Sequence, residues 1–238
     1  MPSGNACFIS EVKMIKGFRY FSRFEKILWS LSIILITIAF IISKGSIWTT
    51  FVSSVIGVTA LVFMAKGNVT GLFLSVIFSI FYGITSFFFK YYGEMITYLC
   101  MTTPISIISI ITWLKNPYSR MQVKVGSIKV KEYIFAFALS GVVSVIFYFI
   151  LGALNTSNLI FSTISVFTSF LACYLSVRRS EFFALAYASN DIILIILWVL
   201  ATISDISYLP MIICFVVFFI NDIYSFINWS KMKIMQEK

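Results

Sequence analysis

Histidine is absent from this chain of 238 residues, and charged residues make up only 11% of it. Without histidine, the chain cannot form a histidine proton relay, a Ser-His-Asp triad or a histidine-ligated metal site. The four cysteines, Cys7, Cys100, Cys173 and Cys214, show no CxxC spacing, and no glycine-rich phosphate loop occurs. We therefore expect no metal, no cofactor and no ATP-driven step.

Hydrophobic residues make up 60% of the chain, and its mean hydropathy is +0.99. Eight apolar runs are each near the ~20 residues needed to cross a ~30 Å hydrocarbon core. They cover residues 27–43, 47–65, 69–89, 94–113, 133–153, 158–177, 182–202 and 208–229. The pattern predicts an all-α integral membrane protein with eight spans. Trp29, Trp48, Trp113 and Trp229 stand near span ends, where tryptophan forms interfacial belts.

The basic residues support this count of spans. With eight spans, sixteen of the 18 Lys and Arg residues fall on one side, and only Lys44 and Lys90 fall on the other. The positive-inside rule then predicts that both termini lie in the cytoplasm. The net charge of +9 is thus a topology signal. We expect a lipid bilayer as partner, and no nucleic acid.

The first 26 residues are basic and lack the features of a signal peptide. Phe8, Val12, Ile15 and Phe18 recur at helical spacing, which indicates an interfacial helix. A loosely ordered tail is the open alternative. The predicted division of the chain is an N-terminal segment 1–26, an extra membrane helix 27–43, a first three-helix repeat 47–113, a loop and linker helix 114–153, a second repeat 158–229 and a tail 230–238.

An internal repeat organises the last seven spans. Residues 111–115 and 227–231 share the pattern I-x-W-x-K at an offset of 116, each at the end of an apolar run. Residues 66–68 align with 179–181 at an offset of 113. Because one helix separates the two triplets, they insert with the same orientation. The sequence therefore predicts parallel 3+1+3 repeats, preceded by one extra helix.

Two Asn-Asp steps interrupt the apolar runs of the second repeat. Asn190 and Asp191 lie within 182–202, and Asn221 and Asp222 lie within 208–229. A carboxylate near the bilayer centre costs several kcal/mol, so such a group usually faces a cavity, a partner or a substrate. Asp191 lies about 13 Å from the start of its helix, and Asp222 about 10 Å above the end of its own, at 1.5 Å per residue. The alternative is a purely structural role, in which these side chains form hydrogen bonds between helices.

Local patterns in both repeats resemble a known family. They are the stretches 67–71, 92–95, 113–116, 178–181 and 221–224, together with Tyr82, Asn190, Trp198 and Trp229. Over about residues 48–231 the chain resembles the PnuC-type vitamin transporters, best known for nicotinamide riboside. The resemblance implies facilitated diffusion across the cell membrane of a bacterium, and a homotrimer. Thiamine and other nucleoside-like vitamins are alternative substrates on the same scaffold.

The family's riboside-binding pattern, W-x-x-W-x-x-x-N, corresponds to Phe183, Ala186 and Asn190. The asparagine is kept, one aromatic ring is kept as Phe, and the second tryptophan is missing. Tyr187 follows at once and is a candidate replacement for the missing ring. The resemblance therefore implies that these four residues bind substrate.

The acidic residues and the first repeat supply further candidates. Asp191 and Asp222 are candidate counter-ions for a fixed cation, since both nicotinamide riboside and thiamine carry one. Substrate contact is also a hypothesis for Asn221, Ser79 and Tyr82, the last two at helical spacing.

Three more residues are candidates for the gating of transport. Tyr92 and Glu94 would gate the outer rim, although a plain helix start explains them equally well. Pro104 would loosen its helix, because proline removes a backbone hydrogen bond.

Other function classes remain open at this point. A neutral-solute carrier, such as a sugar transporter, would use the same scaffold, and a membrane receptor would bind without transport. An intramembrane protease with paired aspartates is disfavoured because neither Y-D nor G-x-G-D occurs. We predict a transporter and not an enzyme.

Overall fold

The computed structural model describes residues 20–43, 47–89 and 91–238, so most of the N-terminal segment 1–26 lies outside it. Within those ranges, eight helices are long and apolar enough to cross a membrane. They are α1 (Arg23–Ile42), α2 (Trp48–Ala65), α3 (Val69–Phe88), α4 (Tyr92–Lys115), α5 (Val130–Ala153), α6 (Leu159–Val177), α7 (Phe182–Ser204) and α8 (Leu209–Gln236). The prediction of an all-α protein with eight spans is confirmed.

Two helix ends differ from the apolar runs that predicted them. The Ser22 hydroxyl accepts from the Glu25 amide at 3.2 Å, and the Glu25 carboxylate accepts from the Ser22 amide at 2.6 Å. This capping box starts α1 at Arg23, before the apolar run begins. At the other end of the chain, α8 continues to Gln236, whose side chain bonds the backbone of the linker. Most of the predicted tail 230–238 is therefore helix.

The fourth helix contains a wider, π-helical turn over Thr97–Thr102. Pro104 follows it, and proline has no N–H to donate to the carbonyl four residues earlier. The Thr103 hydroxyl donates to the carbonyl of Tyr98 at 2.8 Å. Pro104 is exposed on the side of the bundle, and the helix continues past it without a break. A π turn of this kind is common at functional sites.

The helices pack as two triplets, α2–α4 and α6–α8. In each triplet the middle helix packs against both of its neighbours in the chain, the helix before it and the helix after it. The first helix of each triplet also packs against the third helix of the other, so α2 contacts α8 and α4 contacts α6. This reciprocal arrangement confirms the predicted parallel 3+1+3 repeat. The linker helix α5 lies against α6, and the extra helix α1 lies against α2 and α8.

Two tryptophans at equivalent positions of the repeat, Trp113 and Trp229, join the two triplets. They lie at the end of the bundle that carries Lys66 and Arg178, which is called here the basic end. The Trp113 indole N–H donates to the carbonyl of Ser176 at 2.9 Å, and the Trp229 indole N–H donates to the carbonyl of Met64 at 2.8 Å. Each bond runs from the third helix of one triplet to the end of the first helix of the other.

The predicted interfacial belt is therefore only partly right. Trp113 and Trp229 are buried, with 1% and 0% of their surface exposed. Both indole N–H groups bond a backbone carbonyl inside the protein, so neither ring is available to a lipid interface. Trp29 and Trp48 are exposed on the side of the bundle, as an interfacial position requires.

The linker between the triplets crosses the basic end. It forms a short antiparallel hairpin of Pro117–Ser119 with Gln122–Val123. The amide of Val123 donates to the carbonyl of Gly67 at 2.9 Å, and the amide of Gly126 donates to the carbonyl of Arg179 at 2.9 Å. Gly67 and Arg179 lie in equivalent loops of the two triplets, and both have positive φ angles. One segment therefore ties down the same loop in each triplet.

The extra helix α1 also bridges the triplets at the basic end. Glu25 is buried, and its carboxylate accepts from the Lys66 ammonium at 3.2 Å and from the Tyr224 hydroxyl at 2.9 Å. Lys66 follows α2 of the first triplet, and Tyr224 lies in α8 of the second. A single carboxylate thus holds one group from each triplet.

Candidate functional site

A small cavity of about 40 Å³ lies between the two triplets. Its walls come from five helices. They are Gly57, Ala60, Leu61 and Met64 of α2, Ser75, Phe78 and Ser79 of α3, Tyr98 and Thr102 of α4, Tyr187, Asn190 and Asp191 of α7, and Phe218 and Asp222 of α8. A larger groove, of about 170 Å³, lies between α1 and α2. Of these two spaces in the described part of the chain, the smaller brings polar side chains of both triplets together.

Asp191 and Asp222 form a buried carboxyl pair in this cavity. They are 4% and 2% exposed, and their side chains lie within hydrogen-bonding range of each other. Oδ2 of Asp191 and Oδ1 of Asp222 receive no hydrogen bond from any described residue. No Lys or Arg is among the described residues that line the cavity. Ionising two neighbouring buried carboxyl groups together is costly unless a cation compensates them, so the site favours positive charge or protons.

Asn190 is held in place by the neighbouring helix α6. Its side-chain carbonyl accepts from the hydroxyls of Ser165 at 3.2 Å and Thr168 at 2.8 Å. The same side chain lies within hydrogen-bonding range of Tyr98 in α4, across the triplet interface. Both ends of the amide are thereby oriented before any ligand arrives, which lowers the entropic cost of using it for recognition.

Aromatic rings form the rest of the cavity wall. Tyr98 and Phe78 meet edge to face with centroids 6.1 Å apart, and Phe78 and Phe218 lie 5.2 Å apart. Tyr187 lines the opposite side, with its hydroxyl 3.4 Å from the sulfur of Cys173. Ring faces of this kind stack on planar ligands and attract cations.

An aromatic cluster closes the cavity at the end opposite the basic end. It consists of Tyr82, Phe89, Tyr91, Trp198 and Tyr208. The indole N–H of Trp198 donates to the Tyr82 hydroxyl at 3.1 Å, and the Tyr91 and Trp198 rings lie 4.9 Å apart. Burial raises the pKa of the Tyr91 phenol, so this hydroxyl stays protonated. Tyr82, a predicted substrate ligand, belongs to this opposite-end cluster and not to the cavity wall.

A second aromatic cluster closes the basic end. The ring of Phe183 lies 4.9 Å from Trp229 and 6.1 Å from Trp113, and the two tryptophans are 5.1 Å apart. Phe183 is fully buried here, and neither it nor Ala186 lines the cavity. The two positions that match the tryptophans of the family pattern therefore pack below the cavity in this conformation.

Of the other predicted site residues, five line the cavity and four do not. The five are Ser79, Tyr187, Asn190, Asp191 and Asp222. Asn221 donates its amide to the carbonyl of Val217 in its own helix at 2.8 Å. Pro104 is exposed on the side of the bundle, and Tyr92 is half-buried at the start of α4.

Glu94 lies inside the protein and not at the rim. It is 1% exposed. Neither carboxylate oxygen receives a well-formed hydrogen bond among the described residues, although Ser165 lies within reach. Since Ser165 also bonds Asn190, Glu94 lies one side chain away from the cavity wall.

Sequence reasoning missed several wall residues. Tyr98 and Thr102 lie on the π turn, where a 3.6-residue period no longer predicts which face a side chain occupies. Gly57 permits the close approach of Phe218, since a Cβ at that position would lie 2.3 Å from the Phe218 ring. Ser53 and Gly57, four residues apart in an apolar run, form a small-residue packing pattern that would have indicated a close helix contact here.

Two similar three-helix units, with a polar cavity between them and an aromatic closure at each end, define a multi-pass membrane transporter. The model of the nicotinamide mononucleotide transporter family matches residues 47–231, and the chain belongs to that family. The predicted family resemblance is thus confirmed, as is the prediction of a transporter and not an enzyme.

The relatives agree with this assignment. The chain is 27% identical over 202 residues to the nicotinamide riboside transporter PnuC of Neisseria mucosa, covering 82% of this chain and 76% of the relative. It also superposes on the crystal structure of the vitamin B3 transporter PnuC with a TM-score of 0.80. That match has 23% identity and covers 91% of this chain and 94% of the other. The structural match shows the shared fold.

Proposed function

We propose that this protein carries nicotinamide riboside across the membrane by alternating access between its two triplets. The observation that carries the proposal is the Asp191–Asp222 pair in an aromatic cavity whose described lining has no basic side chain. Nicotinamide riboside has a fixed pyridinium charge on a flat ring. Coulomb attraction to the carboxyl pair and contact with the tyrosine and phenylalanine faces both favour such a ligand.

The same charge balance favours the riboside over the mononucleotide. The mononucleotide adds a phosphate group, which proteins bind with arginine, lysine or a helix N-terminus. The described cavity wall offers carboxyl groups instead, which repel phosphate. We therefore propose the riboside as the substrate, although the family is named for the mononucleotide.

Thiamine is the second candidate, because it also carries a fixed positive charge on an aromatic ring. The observation that favours thiamine as a candidate is the changed set of aromatic residues at the cavity and just below it. Tyr98 and Tyr187 line the wall, and Phe183 and Ala186 stand where the family pattern has tryptophan. A different set of rings would suit a different flat cation. A neutral sugar would gain nothing from the carboxyl pair.

Transport requires the triplets to separate. A cavity of about 40 Å³ holds only water-sized groups, whereas ligand pockets measure ~300–1,000 Å³. Each closing cluster contains residues of both triplets, so rocking one triplet against the other would open one cluster while the other stays shut. The ligand's own gradient would drive net movement, as in facilitated diffusion.

We further propose, from the charge asymmetry and the family, that both termini face the cytoplasm and that the protein is a homotrimer in a bacterial cell membrane. Protease digestion of tags on each terminus in sealed vesicles tests the orientation. The mass of the detergent-solubilised protein tests the oligomer.

Uptake of labelled nicotinamide riboside into liposomes that contain only this protein tests the proposed function. We expect saturable uptake that excess riboside or thiamine reduces and the mononucleotide does not. Asp222→Asn should abolish it, whereas Asp205→Asn, in an exposed loop, should leave it unchanged. Binding without uptake would show a receptor, and uptake of a neutral sugar in place of either cation would refute the choice of substrate.

A further inference from the structure

The Asp191–Asp222 pair has no resident counter-charge, and this inference rests on the proposed function. Both side chains are more than nine-tenths buried, and one oxygen of each receives no hydrogen bond from the described residues. Burying an ionised carboxylate costs several kcal/mol, and a second negative charge beside it adds to that cost. The pair therefore needs a compensating positive charge whenever the cavity is closed.

The groups that face the pair do not supply this charge. Tyr187 lies on the same helix as Asp191, Tyr98 faces it from α4, and Cys214 faces it from α8. The described lining residues of α2 and α3 are apolar or carry hydroxyl groups. Glu94, which lies near Tyr98, adds only more acidity. Each of these groups is neutral or negative, so the proton is the remaining partner for the pair.

We propose that the closed, ligand-free pair of Asp191 and Asp222 holds a proton, and that a bound cation displaces it. On binding, the O–H bond of the pair breaks, its electrons stay on the carboxylate oxygen, and the proton passes to water. The ligand's positive charge replaces the proton's, so the net charge of the buried site is unchanged. Nothing is oxidised or reduced. The exchange replaces one compensating charge with another.

The sign of the pH dependence follows from the exchange. The bound state holds fewer protons than the free state, so affinity for a cation must rise with pH. Where the free pair is protonated, each unit of pH changes the dissociation constant by up to about tenfold. A neutral ligand displaces no proton, and its affinity should stay flat over the same range.

Calorimetric titration of the purified protein in two buffers of different ionisation enthalpy measures the released proton directly. With nicotinamide riboside we expect about one proton released for each ligand bound. Reduced nicotinamide riboside, which has nearly the same shape and an uncharged ring, should release none. Riboside binding with no proton release would overturn the inference while leaving the proposed function intact. Affinity that depends on sodium at fixed pH, without proton release, would assign the compensating charge to a metal ion and also overturn it.

A measurement without ligand keeps the two proposals separate. In infrared spectra at neutral pH, wild-type protein should show the C=O band of a protonated carboxyl group that is lost in the double variant Asp191→Asn, Asp222→Asn. Glu94 is unchanged in both proteins, so its own band cancels in the difference. Identical spectra would overturn the inference. If riboside fails to bind but thiamine binds with proton release, the substrate choice fails and the exchange stands.

Discussion

Replacing Gly57 with alanine tests whether the cavity depends on the close approach of two helices. A Cβ at this position would lie 2.3 Å from Cζ of Phe218 and 2.9 Å from Cδ2 of Phe78. Since carbon atoms pack at about 3.5–4.0 Å, the Phe218 ring must move by about 1 Å or more. Both rings line the cavity, so the displaced atoms have only its small volume to enter.

Two effects of the Gly57→Ala substitution on the free energy of unfolding oppose each other. Alanine is preferred over glycine inside a helix by about 1 kcal/mol, whereas overpacking a core costs about 1–3 kcal/mol. We expect Gly57→Ala to lower the free energy of unfolding by up to about 2 kcal/mol. We also expect it to weaken riboside binding about tenfold, which corresponds to ~1.4 kcal/mol.

Gly141 offers a matched control, because it also lies inside a membrane helix and a Cβ there would meet no atom within 4 Å. Gly141→Ala should raise thermal stability slightly and leave uptake into liposomes unchanged. The double variant Gly57→Ala, Phe218→Leu should regain affinity, because the smaller side chain removes the clash. If Gly57→Ala matched the Gly141→Ala control in both stability and uptake, the cavity described here would not be the transport site.

Two further substitutions address the closure and the recognition amide. Tyr82→Phe leaves the buried Trp198 indole N–H without its acceptor, at a cost of about 1–3 kcal/mol, and should loosen the opposite-end cluster. We expect faster exchange of the buried amides near Trp198 in hydrogen-exchange mass spectrometry. Unchanged protection of these amides would contradict the prediction. Asn190→Ala should weaken riboside binding by about 1–3 kcal/mol, whereas Ser189→Ala, at an exposed position beside it, should not. Equal riboside affinity of the two variants, measured by calorimetry, would show that Asn190 is not part of the site.

The fold was predictable because lipid imposes few solutions on a chain. Run length sets the number of spans, and the placement of Lys and Arg sets their sides. The helix ends were less predictable, since they depend on local caps and contacts. Ser22 and Glu25 start α1 inside a basic segment, and Gln236 extends α8 to reach the linker.

The candidate site was predictable only where a polar residue interrupts an apolar membrane span. Asn190, Asp191 and Asp222 were identified because burying them has a cost that requires a reason. Tyr98 gave no comparable signal, because one more tyrosine among many aromatic residues is unremarkable until the π turn aims it inward. Trp113 was misplaced for a related reason. A tryptophan followed by a lysine near a span end is typical of a lipid interface, and only packing against the other triplet reveals its burial.

The internal repeat also shows which cavity residues each triplet contributes. At the offset of 113 that relates the starts of α3 and α7, Phe78 corresponds to Asp191, and both line the cavity. At the offset of 116 that relates α4 and α8, Thr102 corresponds to Phe218, and both line it again. The repeat therefore builds one cavity from matching positions, but both carboxyl groups lie in the second triplet. A bound cation would be held by α7 and α8, while the rings and hydroxyls of α3 and α4 cover it. Because the charge is attached to one triplet alone, the other can swing away at either end without first breaking an ion pair.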